Sequence, residues 1–223
     1  MVNEKKLLKW QALAGDVKIE IEEGTSKDFD VYLRELVKWN RRFNLTGIKD
    51  PVEIQIKNFQ DSMAVSKLIP RRISSLVDIG SGAGFPGLVL KILLPQRLVY
   101  LVEPNAHRYN FLCHIKRVLR LARLEIYKGS IEKWFSEFEN VWRTMSPLYI
   151  SRARKKPEEV VKSLASKIIS PDSGIILMLG AKGFMELVQL VPVLKVFDLK
   201  VTGSQKVILT GEAGTRLNVL LQR

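Results

Sequence analysis

The chain predicts an α/β fold, a doubly wound and mostly parallel sheet with a helical N-terminal extension, and three observations predict it. Residues 76–87, Leu-Val-Asp-Ile-Gly-Ser-Gly-Ala-Gly-Phe-Pro-Gly, pass from a short apolar strand through four glycines into a helix that starts around Pro86. Further short apolar stretches follow at 98–102, 124–127, 148–150 and 174–179, with helix-length segments between them. Residues 1–70, in contrast, carry apolar positions at helical spacing and no convincing strand pair. The predicted division is therefore 1–70 for the extension and 71–223 for the sheet domain, the two forming one compact unit.

In the extension, Thr25-x-x-Asp28 matches a capping box ahead of Phe29, Tyr32, Leu33, Leu36, Val37 and Phe43. Asp50 caps a second helix with Pro51 at its first position, and Val52, Ile56, Phe59 and Met63 form its apolar face. Lys57 and Asp61 fall one turn apart on another face, spaced for an i,i+4 ion pair.

The glycine loop admits two cofactors. Gly82-Ala-Gly84-Phe-Pro-Gly87 satisfies G-x-G-x-x-G, a dinucleotide pattern. The fuller run is Asp78-x-Gly80-x-Gly82-x-Gly84, with an acid two residues before the first glycine. A carboxylate beside the helix N-terminus would repel a pyrophosphate and attract the ammonium and sulfonium of S-adenosylmethionine. That comparison favours S-adenosylmethionine over a nicotinamide oxidoreductase. The strand 98–102 ends at Glu103, placed to accept hydrogen bonds from ribose hydroxyls, a need both cofactors share.

Asn105 caps the next helix, with Phe111, Leu112, Ile115, Val118 and Leu119 inward and Arg108, Lys116, Arg117 and Arg120 on the other face. After the third strand, Ile131 is positioned to cover an adenine face, while Glu132 reads equally as a helix-start carboxylate. The fourth strand delivers Arg152, Arg154, Lys155 and Lys156 to the same rim, a cationic run suited to RNA phosphate or a base edge, or else a solvated face. Pro157 opens the following helix. The fifth strand leads to Gly180-Ala-Lys182-Gly183, and 195–201, 206–210 and 216–221 read as a strand and closing hairpin.

Lys+Arg 36 against Asp+Glu 23 gives a net charge of +13, which predicts a polyanionic partner, nucleic acid before membrane surface. The single cysteine, Cys113, excludes an internal disulfide and suits a reducing cytosol. His107 and His114 have no ligand set near them, so no metal is expected, and no apolar run reaches the roughly 18 residues of a membrane span. Ser146-Pro147-Leu148-Tyr149 lies before the fourth strand, where it does not serve as the tetrad that grips an exocyclic amine, and Cys113 is on the wrong helix for a base-carbon nucleophile.

With these residues assembled, the chain resembles the bacterial small-subunit ribosomal RNA guanine-N7 methyltransferases, the glucose-inhibited division protein B family. The marks are Trp39-Asn40, Asn44-Leu45-Thr46, Asp50-Pro51, Asp61-Ser62, Val77 through Gly87, Ile150-Ser-Arg-Ala153, Ala181-Lys-Gly183 and Arg216. The resemblance implies a class I S-adenosylmethionine-dependent fold with a seven-stranded sheet. It implies Gly80, Phe85, Ile131, Glu132 and Arg152 around the cofactor, and Glu103 as the ribose-binding acid. Lys57, Asp61, Lys182 and Arg216 match positions expected near RNA. Two departures stand out: Lys57-Asn58 replaces the usual Arg-His, and Arg154-Lys155-Lys156 replaces apolar and small residues. The implied reaction is methyl transfer to guanine N7 of ribosomal RNA, free or in the small subunit, by a cytoplasmic monomer with no general base. Modification of another RNA site or of a small molecule is the alternative.

Overall fold

The computed structural model describes residues 7–152, 156–211 and 213–223. Helices α1 (Trp10–Asp16), α2 (Glu23–Phe43), α3 (Pro51–Ile54) and α4 (Asp61–Val65) precede the sheet. The chain continues through β1 (Ser75–Ile79), α5 (Gly87–Leu93), β2 (Leu98–Val102), α6 (Ala106–Val118), β3 (Leu124–Tyr127), α7 (Ile131–Glu137), α8 (Glu139–Met145) and β4 (Leu148–Ser151). It ends with α9 (Pro157–Leu164), β5 (Gly174–Leu179), α10 (Gly183–Val196), β6 (Lys200–Ile208) and β7 (Thr215–Gln222).

The strands form one seven-stranded sheet in the order β3-β2-β1-β4-β5-β7-β6. The first five are parallel, and β7 inserts antiparallel between β5 and β6. Strand order reverses between β1 and β4, which opens a crevice at their carboxyl ends. Neighbouring residues on a strand face opposite layers, so Leu76, Leu148 and Ile176 join one apolar core while Val77, Tyr149 and Ile175 join the other. The extension belongs to the first of these layers. Its Trp10, Phe29, Tyr32 and Phe59 pack with Phe85 of the glycine loop and Phe111 of α6, ring centroids 4.9–6.1 Å apart.

Several elements differ from their sequence expectation. The helix α2 starts at Glu23 without a side-chain cap, so Thr25 lies inside its first turn rather than at its cap. Asp50 does cap α3, its Oδ1 accepting from the Glu53 N–H at 2.9 Å. The helix that follows is not uniform, because Gln55–Gln60 form a π-helix before α4 begins. Its wider turn takes Lys57 and Asp61 off a common face, and Lys57 pairs backward with Glu53 at 2.7 Å. Phe59 and Met63 are fully buried, Val52 and Ile56 only half. Asn105 caps α6 by accepting from the N–H groups of His107 and Arg108, yet Val118 at its end is exposed. The strand expected from Lys195 starts at Lys200, because α10 runs on to Val196. Residues 187–194 are largely apolar on every side, and such a run carries no periodicity to mark it as helix.

Candidate cofactor cavity and its basic rim

Beyond β1 the backbone turns through Gly80 (φ +68°) and Gly82 (φ +61°), both in the left-handed region that glycine enters without strain. A Cβ on Gly80 would meet nothing within 4 Å, so this part of the loop faces open space. That space is a cavity of about 500 Å³ at the crevice, walled by Gly80, Gly82, Phe85, Glu103, Ile131 and Arg152 among others. Four successive βα connections thus bring six of the predicted residues to one place.

Glu103 is the acid of this wall. Its Oε2 accepts from the Gly82 N–H at 2.7 Å and its Oε1 from the Asn105 N–H at 2.8 Å. Each oxygen keeps a further lone pair for a ligand hydroxyl. Asp78 has a different place from the one its spacing suggested. It is buried beneath the loop, outside the cavity lining, and its Oδ2 accepts from the Gly87 N–H at 2.9 Å. Burial pushes its carboxyl up to about 7, against the opposing pull of the Gly87 N–H. A Cβ on Gly87 would fall 2.6 Å from that Oδ2 and 2.3 Å from Leu101 Cδ2, so this glycine is required by close packing. Gly84 also lies outside the lining, and a Cβ there would meet Tyr32 Oη and Leu88 Cδ1 at 2.5 Å each. Glu132 is exposed in the first turn of α7, next to Ile131 and outside the wall.

The basic rim is organised by a buried acid. Arg152 donates through Nη1 to Asn58 Oδ1 at 3.0 Å and through Nη2 to the Lys57 carbonyl. Nη2 also lies 3.2 Å from Asp61 Oδ2, and Arg216 Nε lies 3.7 Å from the same oxygen. Asp61 is 2% exposed and its Oδ1 has no hydrogen-bond donor among the described residues. Burial raises its carboxyl pKa although both arginines act to lower it. Asp61 therefore meets two cations of its own chain, one from the end of β4 and one from β7. Lys57 joins through its carbonyl while its ammonium turns to Glu53. Lys156 and Lys182 are exposed, just past the carboxyl ends of β4 and β5, and Lys155 lies outside the described residues.

Lining residues that sequence reasoning did not place at the site include Leu45, Thr46, Asn58 and Arg108. Asn40 shapes the 44–48 turn by donating to the Ile48 carbonyl at 3.1 Å and accepting from the Thr46 N–H at 2.9 Å. Arg108 Nε donates to the Leu45 carbonyl at 3.1 Å, tying that turn to α6. Leu45 and Thr46 were visible only as a family mark. Helical spacing places Arg108 on an outward face, yet the first turn of a helix after a parallel strand borders the crevice. Among the described residues no group of three His, Cys, Asp or Glu could hold a metal, and no helix is long and apolar enough to cross a membrane.

Solved structures with this architecture include precorrin-6y C5,15-methyltransferase from Geobacter metallireducens, at 14% identity and TM-score 0.54, over 81% of this chain and 91% of that one. TYW2 of M. jannaschii in complex with AdoMet matches at 14% identity and TM-score 0.53, over 74% of this chain and 76% of that one. At such identities the likeness establishes the fold, that of class I S-adenosylmethionine-dependent methyltransferases. Among curated relatives, ribosomal RNA small subunit methyltransferase G of Stutzerimonas stutzeri is 32% identical over 71% of this chain and 76% of its own length. The protein of that name from Streptococcus agalactiae is 31% identical over 82% and 77%. That of Ectopseudomonas mendocina is 35% identical over 56% of this chain, and the match spans only 58% of the relative. The family model described as rRNA small subunit methyltransferase G matches residues 25–207, and the chain belongs to that family.

Proposed function

We propose that this chain transfers a methyl group from S-adenosylmethionine to N7 of a guanine in small-subunit ribosomal RNA, acting as a cytoplasmic monomer on the RNA or the small subunit. The observation that carries the reading is the convergence of Gly80, Glu103, Ile131 and Arg152 on one cavity at the switch point of a class I sheet. The cavity fits the cofactor chemically. Left-handed glycines let backbone approach it, Glu103 offers lone pairs to ribose hydroxyls, and Phe85 and Ile131 supply apolar surface for a base. When bound, S-adenosylmethionine supplies an electrophilic sulfonium methyl.

The protein's part is then to hold and align. Guanine N7 is unprotonated, with its lone pair in the base plane, so its attack releases no proton and calls for no general base. Glu103, the carboxylate of the wall, is committed to two backbone N–H groups. Arg152 is a fixed cation whose guanidinium Asp61 and Asn58 keep in one orientation, suited to an anionic carboxylate or phosphate. Alignment of nucleophile and methyl supplies much of the rate in such a site. The net charge of +13 and the exposed Lys156 and Lys182 support RNA over a small-molecule acceptor.

Tritiated methyl transfer to small subunits and to protein-free RNA tests the reading. The N7-methylated ring carries a fixed positive charge, so the product is reducible by borohydride and the strand then cleaves with aniline. A methylated RNA that resists scission overturns the N7 assignment, and no transfer to any RNA overturns the substrate.

A further inference from the structure

A second concave site lies away from the cofactor cavity, between the end of α1, the turn after α4 and the edge strand β6. It is a groove of about 470 Å³ lined by Lys18, Lys67, Ser204, Gln205 and Lys206, among others. The three lysines come from three separate elements, all are exposed, and none makes an ion pair among the described residues. The one carboxylate in the wall, Asp16, is engaged elsewhere: its Oδ2 accepts from Thr210 Oγ1 at 2.5 Å and Gln60 Nε2 at 3.4 Å. Three ammonium groups gathered around one hollow repel each other, and a ligand anion relieves that repulsion.

Two more features mark the groove as a binding surface. Lys18 sits at φ +58°, a left-handed position where a helix end ordinarily carries glycine or asparagine. Gln205 Oε1 is buried in the wall with no donor among the described residues. A lysine on an edge strand can serve merely to block strand pairing, and Lys206 alone would fit that role. Lys18 and Lys67 are not on the strand, so edge protection does not account for them.

The groove also has a fixed relation to the cavity. Lys206 stands opposite Leu217, and Leu217 opposite Leu179 at the carboxyl end of β5, so Lys206 is level with the edge on which the cavity opens. β6 is three strands from β4, about 14 Å at ordinary strand spacing. Between them, Arg216 of β7 reaches Asp61 and through it Arg152.

We propose that Lys18, Lys67 and Lys206 bind backbone phosphates of the RNA substrate, outside the methylation site and a few nucleotides along the strand from the target base. The inference rests on the RNA reading above and extends it to a second anchoring point. The groove sets affinity and footprint, and Arg152 and its cavity remain responsible for chemistry.

The test compares the parent with the triple variant Lys18→Ala, Lys67→Ala, Lys206→Ala in filter-binding titrations of protein-free small-subunit RNA across salt concentration. Three lost phosphate contacts should lower the slope of log affinity against log salt by about 2–3. Calorimetric affinity for S-adenosylmethionine and the unfolding midpoint should not change. A control variant, Lys128→Ala, Lys133→Ala, Lys195→Ala, removes equal charge elsewhere and should leave the slope near the parent's. An unchanged slope in the groove variant, or an equal fall in the control, overturns the proposal. So does groove-dependent binding to phosphatidylglycerol vesicles with none to RNA. If the parent binds RNA through the groove yet methylates none, the functional reading fails and the groove stands.

Discussion

Tyr32 donates its hydroxyl to the carbonyl of Ala83 at 2.5 Å, and its ring stacks on Phe85 at 5.3 Å, so a helix of the N-terminal extension holds the glycine loop in place. The contact is fully buried and joins residues 51 apart in sequence. Tyr32→Phe keeps the stack and removes the only donor to that carbonyl among the described residues. It should cost about 1–3 kcal/mol in denaturant unfolding, the scale for a buried acceptor left unpaired. Cofactor affinity in calorimetry should fall with it, because the loop that lines the cavity loses a brace. A variant with parent stability and parent affinity would show that the hydrogen bond does not hold the loop.

Asp78 predicts a pH dependence. An unfolded aspartate titrates near 3.8, and this one is pushed up to about 7 in the fold. Between those values the folded chain keeps a proton that the unfolded chain has released, so stability falls as pH rises from about 4 to about 7 and is level above. Asp78→Asn removes this contribution and still offers an amide oxygen to the Gly87 N–H. Relative to the variant, the parent should lose about 2–4 kcal/mol across that window in urea titrations. Parallel stability curves for the two proteins would refute the elevated value.

Glu103→Ala removes the acceptor that the Gly82 and Asn105 N–H groups share. It should weaken S-adenosylmethionine binding by about 1–3 kcal/mol, the range for hydrogen bonds to a charged group. Nicotinamide dinucleotides should give no heat with either protein. Tight dinucleotide binding by the parent would contradict both the cofactor and the family.

Arg152→Ala leaves Asp61 buried with Arg216 as its remaining cation at 3.7 Å. Loss of one partner from such a pair should destabilise by about 3–5 kcal/mol. The double variant Arg152→Ala, Asp61→Asn should recover part of that loss, because the stranded charge is gone. Methyl transfer should be abolished on every RNA tested. Lys156→Ala, by contrast, should change only the salt dependence of RNA binding, by roughly 1 in log–log slope. Full recovery of methylation in the double variant would deny Arg152 a role at the reaction.

The order and type of the central elements were legible because each is encoded locally. The strand at 76–79, the glycines after it, the Asn105 cap and the Pro157 start are short-range signals that structure repeats. The convergence of Gly80, Glu103, Ile131 and Arg152 was legible too, since successive parallel strands must present their following residues at one edge. What could not be read was depth. Asp78 and Glu103 are both acids beside the loop in sequence, and only packing shows that one supports it from below while the other faces the cavity. Asp78, the acid whose spacing favours S-adenosylmethionine over a dinucleotide, is thus held beneath the loop and outside the cavity wall. Asp61 is a similar case. A partner 91 residues away at Arg152 and another on β7 leave no trace in local spacing, whereas a lysine four residues back suggests itself at once.

The π-turn at Gln55–Gln60 has a consequence for how this backbone tolerates length changes. If the same residues rewound as ordinary helix, no hydrogen bonding would obviously be lost. Everything after it would then rotate by about 100° around the helix axis, the angle of one α-helical residue. Asp61 would leave the two guanidiniums, and Phe59 would leave the ring cluster against the glycine loop. The surplus residue thus acts as a phase shim: it sets the angular position of the ion cluster independently of which side chains the turn carries. A single-residue deletion between 55 and 60 should consequently be absorbed by a return to ordinary helix, whereas a single-residue insertion there should carry Asp61 away from both guanidiniums.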